Sequence, residues 1–194
     1  MSQPTHVFAE SFQVGSEGEK LIEAYIKTLK SVADVENVTS DPNYRSIDVD
    51  FIVTTNSGEK LKYELKTEPT AYYTGNFFYE YICNVTKGTD GCFLFSQADF
   101  WMTFIPQSGL LYVFPLIPYR EYVLEQAKNL PLLKVYNTGK LTKGKVLKIQ
   151  NVCAAVPHNI RNLRDYVDYD YLEAIKQTDT TPYVPAEFVN IRWK

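Results

Sequence analysis

Three side chains on two neighbouring segments of this chain have the types and the spacing that phosphate chemistry uses. Glu64 and Lys66 stand two residues apart in one alternating segment, and Asp50 stands in the segment before it. Residues two apart in a β-strand project from the same face, so the carboxylate and the ammonium would act together. Mg²⁺ prefers one or two carboxylates, and a neighbouring lysine can polarise a water or stabilise charge developing on a phosphate. The three residues therefore form a candidate metal-assisted catalytic set.

The two segments that must position these residues are predicted to form a β-hairpin. Residues 46–54 and 60–66 each alternate between apolar and polar side chains, which is typical of strands with one buried face. Thr55-Asn56-Ser57-Gly58 between them is a turn signal. A three-residue loop brings the two apolar faces together and pairs Thr55 with Glu59. This register decides which charged side chains meet on the opposite face.

The predicted register places Asp50 directly opposite Glu64. Opposed side chains in a sheet have Cβ atoms roughly 4.5 to 5.5 Å apart, and two facing carboxylates destabilise the pair by about 0.2 to 1 kcal/mol. A divalent cation would offset this repulsion, so both residues are candidate metal ligands. Asp48 lies opposite Lys66, and its simplest role is a cross-strand ion pair, which leaves it out of the catalytic set. The alternative for the whole face is a solvated surface with ordinary alternating charges.

A first helix, predicted over residues 16–30, supplies a further acid. Apolar residues recur there at helical spacing, and the stripe that they form needs a sheet to cover. Glu19 is the acid nearest that stripe, so it is a candidate auxiliary catalytic acid at the sheet edge. Ser16 and Glu19 also fit a capping box at the start of the helix. The two roles of Glu19 do not exclude each other.

Later segments extend the predicted α/β plan. Glu80 lies on a third predicted strand, residues 76–82, where it is either an auxiliary group of the metal site or an edge-strand charge that discourages aggregation. Further strands are predicted at 100–105 and 110–114, a short helix between 87 and 99, and a longer one at 119–128. A lysine-bearing strand or hairpin is predicted around 133–150, and a helix near 169–177. This order predicts a mixed sheet with a helix on at least one face.

Charge is unevenly distributed along the chain. The formal net charge is −3, which disfavours a protein that holds nucleic acid by bulk electrostatics. The segment from Lys134 to Lys148 nevertheless carries five lysines and no acid. A basic face can coexist with an acidic total, and Lys140, Lys143 and Lys145 are the candidate nucleic-acid-binding residues.

Composition disfavours several other classes of protein. Three separated cysteines and two histidines give poor support to a structural zinc site or to a Ser-His or Cys-His catalytic centre. No stretch approaches the roughly 20 apolar residues of a membrane span, and the first residues lack the pattern of a signal peptide. We therefore expect a protein that stays in the cytoplasm where it is made, with no membrane partner.

The same residues resemble the PD-(D/E)xK nuclease superfamily, and most closely its resolvase-type and phage-encoded endonuclease members. The resemblance is carried by Glu19 in a first helix, by residues 47–53 (IDVDFIV) and by residues 63–66 (YELK), and it extends over roughly residues 10–115. It implies phosphodiester hydrolysis with Mg²⁺ or Mn²⁺ held by Asp50 and Glu64. Lys66 would assist, and Glu19 would be an auxiliary acid. The phage-encoded members imply the cytoplasm of a bacterial or phage-infected cell. The proline of the family motif is replaced here by Val49.

The expectation is therefore a metal-dependent DNA endonuclease with a restriction-endonuclease-like αβββαβ core. That core would span residues 1–128, followed by an extension packed on it, 129–177, and a tail, 178–194. The alternative is a nuclease-fold protein that no longer cuts and instead binds a DNA structure or a protein partner. The sequence leaves open the DNA substrate, cleavage of RNA, the number of metal ions and the need for a homodimer.

Overall fold

The computed structural model describes residues 8–137 and 140–167, with side chains described for 14–135 and 141–167. The described chain is a mixed α/β fold with two sheets. Its helices are α1 Phe8–Lys27, α2 Pro42–Arg45, α3 Pro69–Thr74, α4 Cys92–Phe95, α5 Leu116–Ala127 and α6 Ile149–Ala155. Its strands are β1 Val32–Asn37, β2 Phe51–Thr55, β3 Lys60–Thr67, β4 Asn76–Asn84, β5 Thr89–Asp90, β6 Phe100–Ile105, β7 Leu110–Pro115, β8 Leu133–Asn137, β9 Lys140–Lys148 and β10 Asn159–Asn162.

The central sheet has six strands in the order β1-β2-β3-β6-β7-β10. Strands β3 and β6 are parallel, and the other neighbours are antiparallel, so the predicted mixed sheet is confirmed. The predicted hairpin register is also confirmed, since Phe51 pairs with Tyr63 and Thr55 N donates to Glu59 O at 2.9 Å. Gly58 closes the turn with a φ of 85°, a conformation that glycine adopts without steric cost.

One face of the central sheet packs against α1. Ile22 and Ile26 of the helix are buried in one cluster with Phe51, Leu65 and Phe104 of the sheet. Burying each such side chain contributes about 1.5 to 3 kcal/mol. The helical spacing of the apolar residues in α1 is thus explained by this contact, as the sequence predicted.

A second sheet, β5-β4-β9-β8, packs against the opposite face. Phe77 and Tyr79 of β4 share a buried cluster with Trp101 and Phe114 of the central sheet and Tyr119 of α5. The hydroxyl oxygens of Tyr79 and Tyr119 are 2.9 Å apart and satisfy one another. The central sheet is therefore covered on both faces, and Glu64, on the second face, is buried between layers.

The structure corrects two predictions at the start of the chain. Helix α1 begins at Phe8, so Ser16 lies inside the helix and the predicted capping box is wrong. The strand predicted at 46–54 begins only at Phe51, because 42–45 is the short helix α2 and Asp48 has a φ of 54° in the turn that follows. Strand β1 was not predicted. It lies at the sheet edge, and its burial pattern shows one buried residue, which gives a weak hydrophobic signal.

The later strands and α5 lie close to their predicted positions, but they divide between two sheets. β4 covers the third predicted strand and belongs to the second sheet, while β6 and β7 continue the central one. In the predicted extension, β9 pairs with β4 and β10 pairs with β7, so residues 129–167 contribute to both sheets. The predicted helix near 169–177 and the tail 178–194 lie outside the described residues. None of the helices in the described ranges is long and apolar enough to cross a bilayer.

Candidate functional site

Asp50 immediately precedes β2 and is tied to β3 by two hydrogen bonds. Its backbone N donates to Tyr63 O at 2.9 Å, and its Oδ2 accepts from Leu65 N at 2.8 Å. The second bond fixes the carboxylate beside β3, next to Glu64. The opposed pair that the sequence predicted is therefore brought together, with Oδ1 of Asp50 left free of this backbone contact.

Glu64 is enclosed by the second sheet. Its side chain is buried, with 6% exposure, and Oε2 has no hydrogen-bond partner among the described residues. Burial, followed by the charges of Asp50 and Asp48, raises the pKa of Glu64 well above its ordinary value. Burial also raises the pKa of Asp50 to about 7, against the hydrogen bond from Leu65. The solvated-surface alternative does not hold for Glu64.

Asp48, Asp50 and Glu64 form a cluster of three acids. They can hydrogen-bond to one another only if at least one of them keeps its proton. Glu64 is within hydrogen-bonding reach of both Asp48 and Asp50. Two ionised carboxylates have no donor to share, so such a contact is attractive only while one of them is protonated. A bound cation would replace that proton and reverse the repulsion.

Asp48 does not form the predicted cross-strand ion pair with Lys66. It lies in the turn before β2, outside the ladder, and the ion pairs found in the described ranges involve other lysines. Burial raises the pKa of Asp48 to about 6, and the charge of Lys66 opposes this rise. The two residues thus interact at longer range, while Asp48 makes its closer contact with Glu64.

Lys66 is half-buried among thiol and acidic groups. Cys92, and then the carboxylates of Glu80, Glu68 and Glu64, raise its pKa against the effect of burial. Burial raises the pKa of the Cys92 thiol to about 12, and the charge of Lys66 opposes this rise. Lys66 therefore keeps its charge in the enclosed site.

Glu68 is a member of this cluster that the sequence did not predict. It is buried, with 9% exposure, and its Oε2 accepts from Phe78 N at 3.3 Å. Burial raises its pKa to about 7, and the charge of Lys66 opposes this rise. The signal was present, because Glu68 continues the two-residue spacing of Glu64 and Lys66 beyond the predicted end of the strand.

The two auxiliary acids occupy different sides of the cluster. Strand β4 lies between β5 and β9, so Glu80 is not on an edge strand, and its charge raises the pKa of Asp48 and of Glu68. Burial raises the pKa of Glu19, against a hydrogen bond with Thr39, and the charge of Glu19 in turn raises the pKa of Asp50. Both acids lie near enough to act on the central carboxylates.

The donor set of this site fits a hard divalent cation. Mg²⁺ keeps several waters and takes one or two carboxylates, which Asp50 and Glu64 can supply. Oε2 of Glu64 is a buried oxygen without a partner in the described structure, as an open ligand position would be. Within residues 8–137 and 140–167, no three His, Cys, Asp or Glu side chains already stand in a metal-binding arrangement. The fit is therefore to a cation that water or phosphate oxygens complete.

The three lysines predicted to bind nucleic acid differ in their surroundings. Lys145 Nζ donates to Ala127 O at 2.5 Å, at the end of α5, and lies 5.1 Å from the ring centroid of Tyr81. Lys143 stands directly opposite Lys134 in the β8–β9 pair, so two like charges face each other. The side chain of Lys140 lies outside what the structure describes.

Comparison of the chain with family models, with curated proteins and with solved structures gave no match. A fold alone supports a function only by analogy. The enclosed acids and Lys66 are therefore the features from which a function can be inferred.

Proposed function

We propose that this protein is a Mg²⁺- or Mn²⁺-dependent nuclease that hydrolyses phosphodiester bonds in DNA. The observation that carries the proposal is the pair Asp50 and Glu64, held side by side in an enclosed site with an unpartnered carboxylate oxygen and with Lys66 beside it. Enclosing two acids is costly unless something positive binds between them. A divalent cation is the ligand that relieves this cost and suits the chemistry of phosphate.

Each residue has a distinct part in the proposed reaction. Asp50 and Glu64 would hold the cation, which supplies polarisation of the phosphate and a lower pKa for a bound water. Lys66 would stabilise negative charge that develops on the phosphate. Asp48, Asp50 and Lys66 are half-buried, so each keeps some exposed surface through which a phosphodiester would have to approach.

The arrangement of elements supports the restriction-endonuclease-like core that the proposal includes. Helix α1 is followed by β1, β2 and β3, and the chain then crosses over to β6, which is parallel to β3. The crossover from Thr67 to Phe100 contains α3, β4, β5 and α4. Such a path is compatible with an αβββαβ core that carries an insertion before its last strand.

A cleavage assay on single-stranded, duplex and branched DNA tests the proposed activity. Mg²⁺ and Mn²⁺ are expected to support cleavage, whereas Ca²⁺ and a chelator are not, because the reaction needs a small cation that polarises water. Asp34→Asn removes one negative charge from an exposed position of β1, and this control variant is expected to cleave DNA like the parent protein. Absence of cleavage under every condition would contradict the proposal.

A second candidate is a nuclease-fold protein that binds DNA structures or a protein partner without cutting. The burial of Glu64 favours it, because a catalytic ligand normally has to be reached by solvent and substrate. This candidate predicts DNA or protein binding that is indifferent to Mn²⁺ and unaffected by Glu64→Gln. The proposed nuclease requires both dependences.

Two lysines of the second sheet are expected to contact the DNA backbone. Lys134 and Lys143 face each other without an ion pair among the described residues, so an anion between them would relieve their repulsion. Replacing both with glutamine is expected to weaken binding of all DNA sequences equally. The salt dependence of binding should become shallower by roughly 0.9 for each phosphate of duplex DNA that the variant no longer neutralises.

Lys145→Gln is the matched control for this prediction. Its ammonium already binds the end of α5, so the variant is expected to lose thermal stability and to keep the salt dependence of the parent protein. Filter binding at several salt concentrations measures the slopes. An unchanged slope in the Lys134, Lys143 double variant would show that this pair faces away from DNA.

A further inference from the structure

The turn that carries Asp48 is held by α4 and the residues after it. Asp48 has a φ of 54°, in the left-handed region that few residues other than glycine adopt. Its carbonyl oxygen accepts from Ser96 Oγ at 2.8 Å, and Gln97 N donates to Ile47 O at 2.8 Å. Ser96 is buried, with 2% exposure, and its own carbonyl accepts from Arg120 at 2.7 Å. The surrounding structure thus fixes this unusual conformation.

The fixed turn directs a carboxylate into the enclosed cluster. Oδ2 of Asp48 is buried and has no hydrogen-bond partner in the described part of the chain, and the same is true of Oε2 of Glu64. The two side chains are within hydrogen-bonding reach of each other. Buried oxygens without a hydrogen-bond partner are rare in folded proteins, and a bound ion is one explanation for them. Here two of them belong to neighbouring acids.

Lys66 and Arg120 are the cationic side chains whose charges act on Asp48, and neither forms an ion pair with it. Arg120 donates its Nε to Phe93 O at 2.8 Å and its Nη2 to Ser96 O, so its guanidinium is engaged by backbone carbonyls. Lys66 forms no ion pair with an acid among the described residues. The two buried oxygens therefore have no cationic partner among the described residues.

We infer that Asp48 is a third cation-binding acid of this site, and that it shares a divalent cation with Glu64 through their unpartnered oxygens. The inference rests on the proposed nuclease function, which assigns the cation to Asp50 and Glu64 alone. Two carboxylates with waters are enough for Mg²⁺, so a subsite between Asp48 and Glu64 needs no third protein ligand. The left-handed turn at Asp48 then places this carboxylate beside Glu64, in a position that a residue within the strand could not occupy.

The variant Asp48→Asn tests this inference without disturbing the backbone. Asparagine tolerates a positive φ as well as aspartate does, and it keeps the side-chain shape while removing the charge. Calorimetric titration of the full chain with Mn²⁺ is expected to give an affinity roughly tenfold or more below that of the parent protein. Asp34→Asn, which removes the same charge from an exposed position, should bind Mn²⁺ like the parent.

Asp48→Gly provides a second variant in case the asparagine form does not fold. Glycine adopts the same φ freely, so this variant should be at least as stable as the parent while it also loses Mn²⁺ affinity. Mn²⁺ binding that is lost in Asp50→Asn but unchanged in both Asp48 variants would overturn the inference and leave the proposed function intact. A parent protein that binds no Mn²⁺ would overturn both.

Discussion

Lys66→Met is expected to lower the single-turnover rate of DNA cleavage by roughly a hundredfold or more, while the affinities for Mn²⁺ and DNA stay within a few-fold. A lysine beside the scissile phosphate acts mainly on the transition state, where charge develops, and a loss of this size is typical of such groups. Methionine has a similar length, so packing around the site is largely kept. Rapid-quench kinetics at saturating protein measure the rate.

Lys62→Met is the matched control for Lys66. Lys62 lies on the same strand and the same face, but near the hairpin end, where it pairs with Ile52. Its loss removes one positive charge and should leave cleavage nearly unchanged. A purely structural Lys66 gives the opposite result, with a lower melting temperature and intact cleavage, because the acids around it would lose their neighbouring cation.

Glu64→Gln is expected to abolish Mn²⁺ binding and cleavage, and to stabilise the metal-free protein at neutral and higher pH. Glu64 and Asp50 have pKa values raised above their ordinary range, and burial is the main cause. The folded chain therefore holds protons that the unfolded chain has released. The stability that these acids contribute is fully present below the ordinary carboxyl pKa and is lost as the pH rises through about 6 to 7, where Asp48 and Asp50 lose their protons.

Chemical denaturation at several pH values measures this effect. In the metal-free parent, the free energy of unfolding should fall by about 1.4 kcal/mol or more between pH 5 and 8, since each pKa unit at one site has that value. The fall should be smaller in Glu64→Gln, and Mn²⁺ at a hundredfold excess over its Kd should restore about 2.7 kcal/mol to the parent only. Glu59→Gln, in the exposed turn, should behave like the parent. Stability that rises with pH in the parent would contradict the assignment.

Local signals in the sequence were sufficient for the hairpin and its paired acids. The turn at residues 55–58 fixes the pairing of Phe51 with Tyr63, and the two-residue spacing in β3 fixes which side chains share a face. Both depend on neighbouring residues only. The register prediction was therefore correct, even though the first strand was predicted to begin at residue 46 and begins only at Phe51.

The incorrect strand prediction for residues 46–50 has one local cause and one long-range cause. Asp41 and Pro42 begin α2, since Asp41 Oδ1 accepts from Asn43 N at 2.8 Å and proline occupies the first turn. The helix then leads into the turn at Asp48, whose conformation depends on Ser96, 48 residues away. The alternation of Ile47 and Val49 with polar residues contains no information about that contact.

The enclosure of Glu64 was beyond prediction from local pattern. It depends on β4 pairing with β9, where Tyr79 stands opposite Lys145, and on the packing of that sheet against Trp101. Contacts between such distant segments leave no periodic signal in either one. The alternating charges in β3 thus left a solvated surface open as an alternative, whereas the structure buries Glu64.

The separation between a local hairpin and a distant cover has a consequence for the order of folding. The β2–β3 hairpin joins its acids through a three-residue turn, so it can form early and while water still hydrates Glu64. The β4–β9 pair has to close a much longer loop before it can dock. The acids then lose their water when the β4–β9 pair docks. Protons or divalent cations are therefore expected to change the rate of this late step and not the rate of hairpin formation.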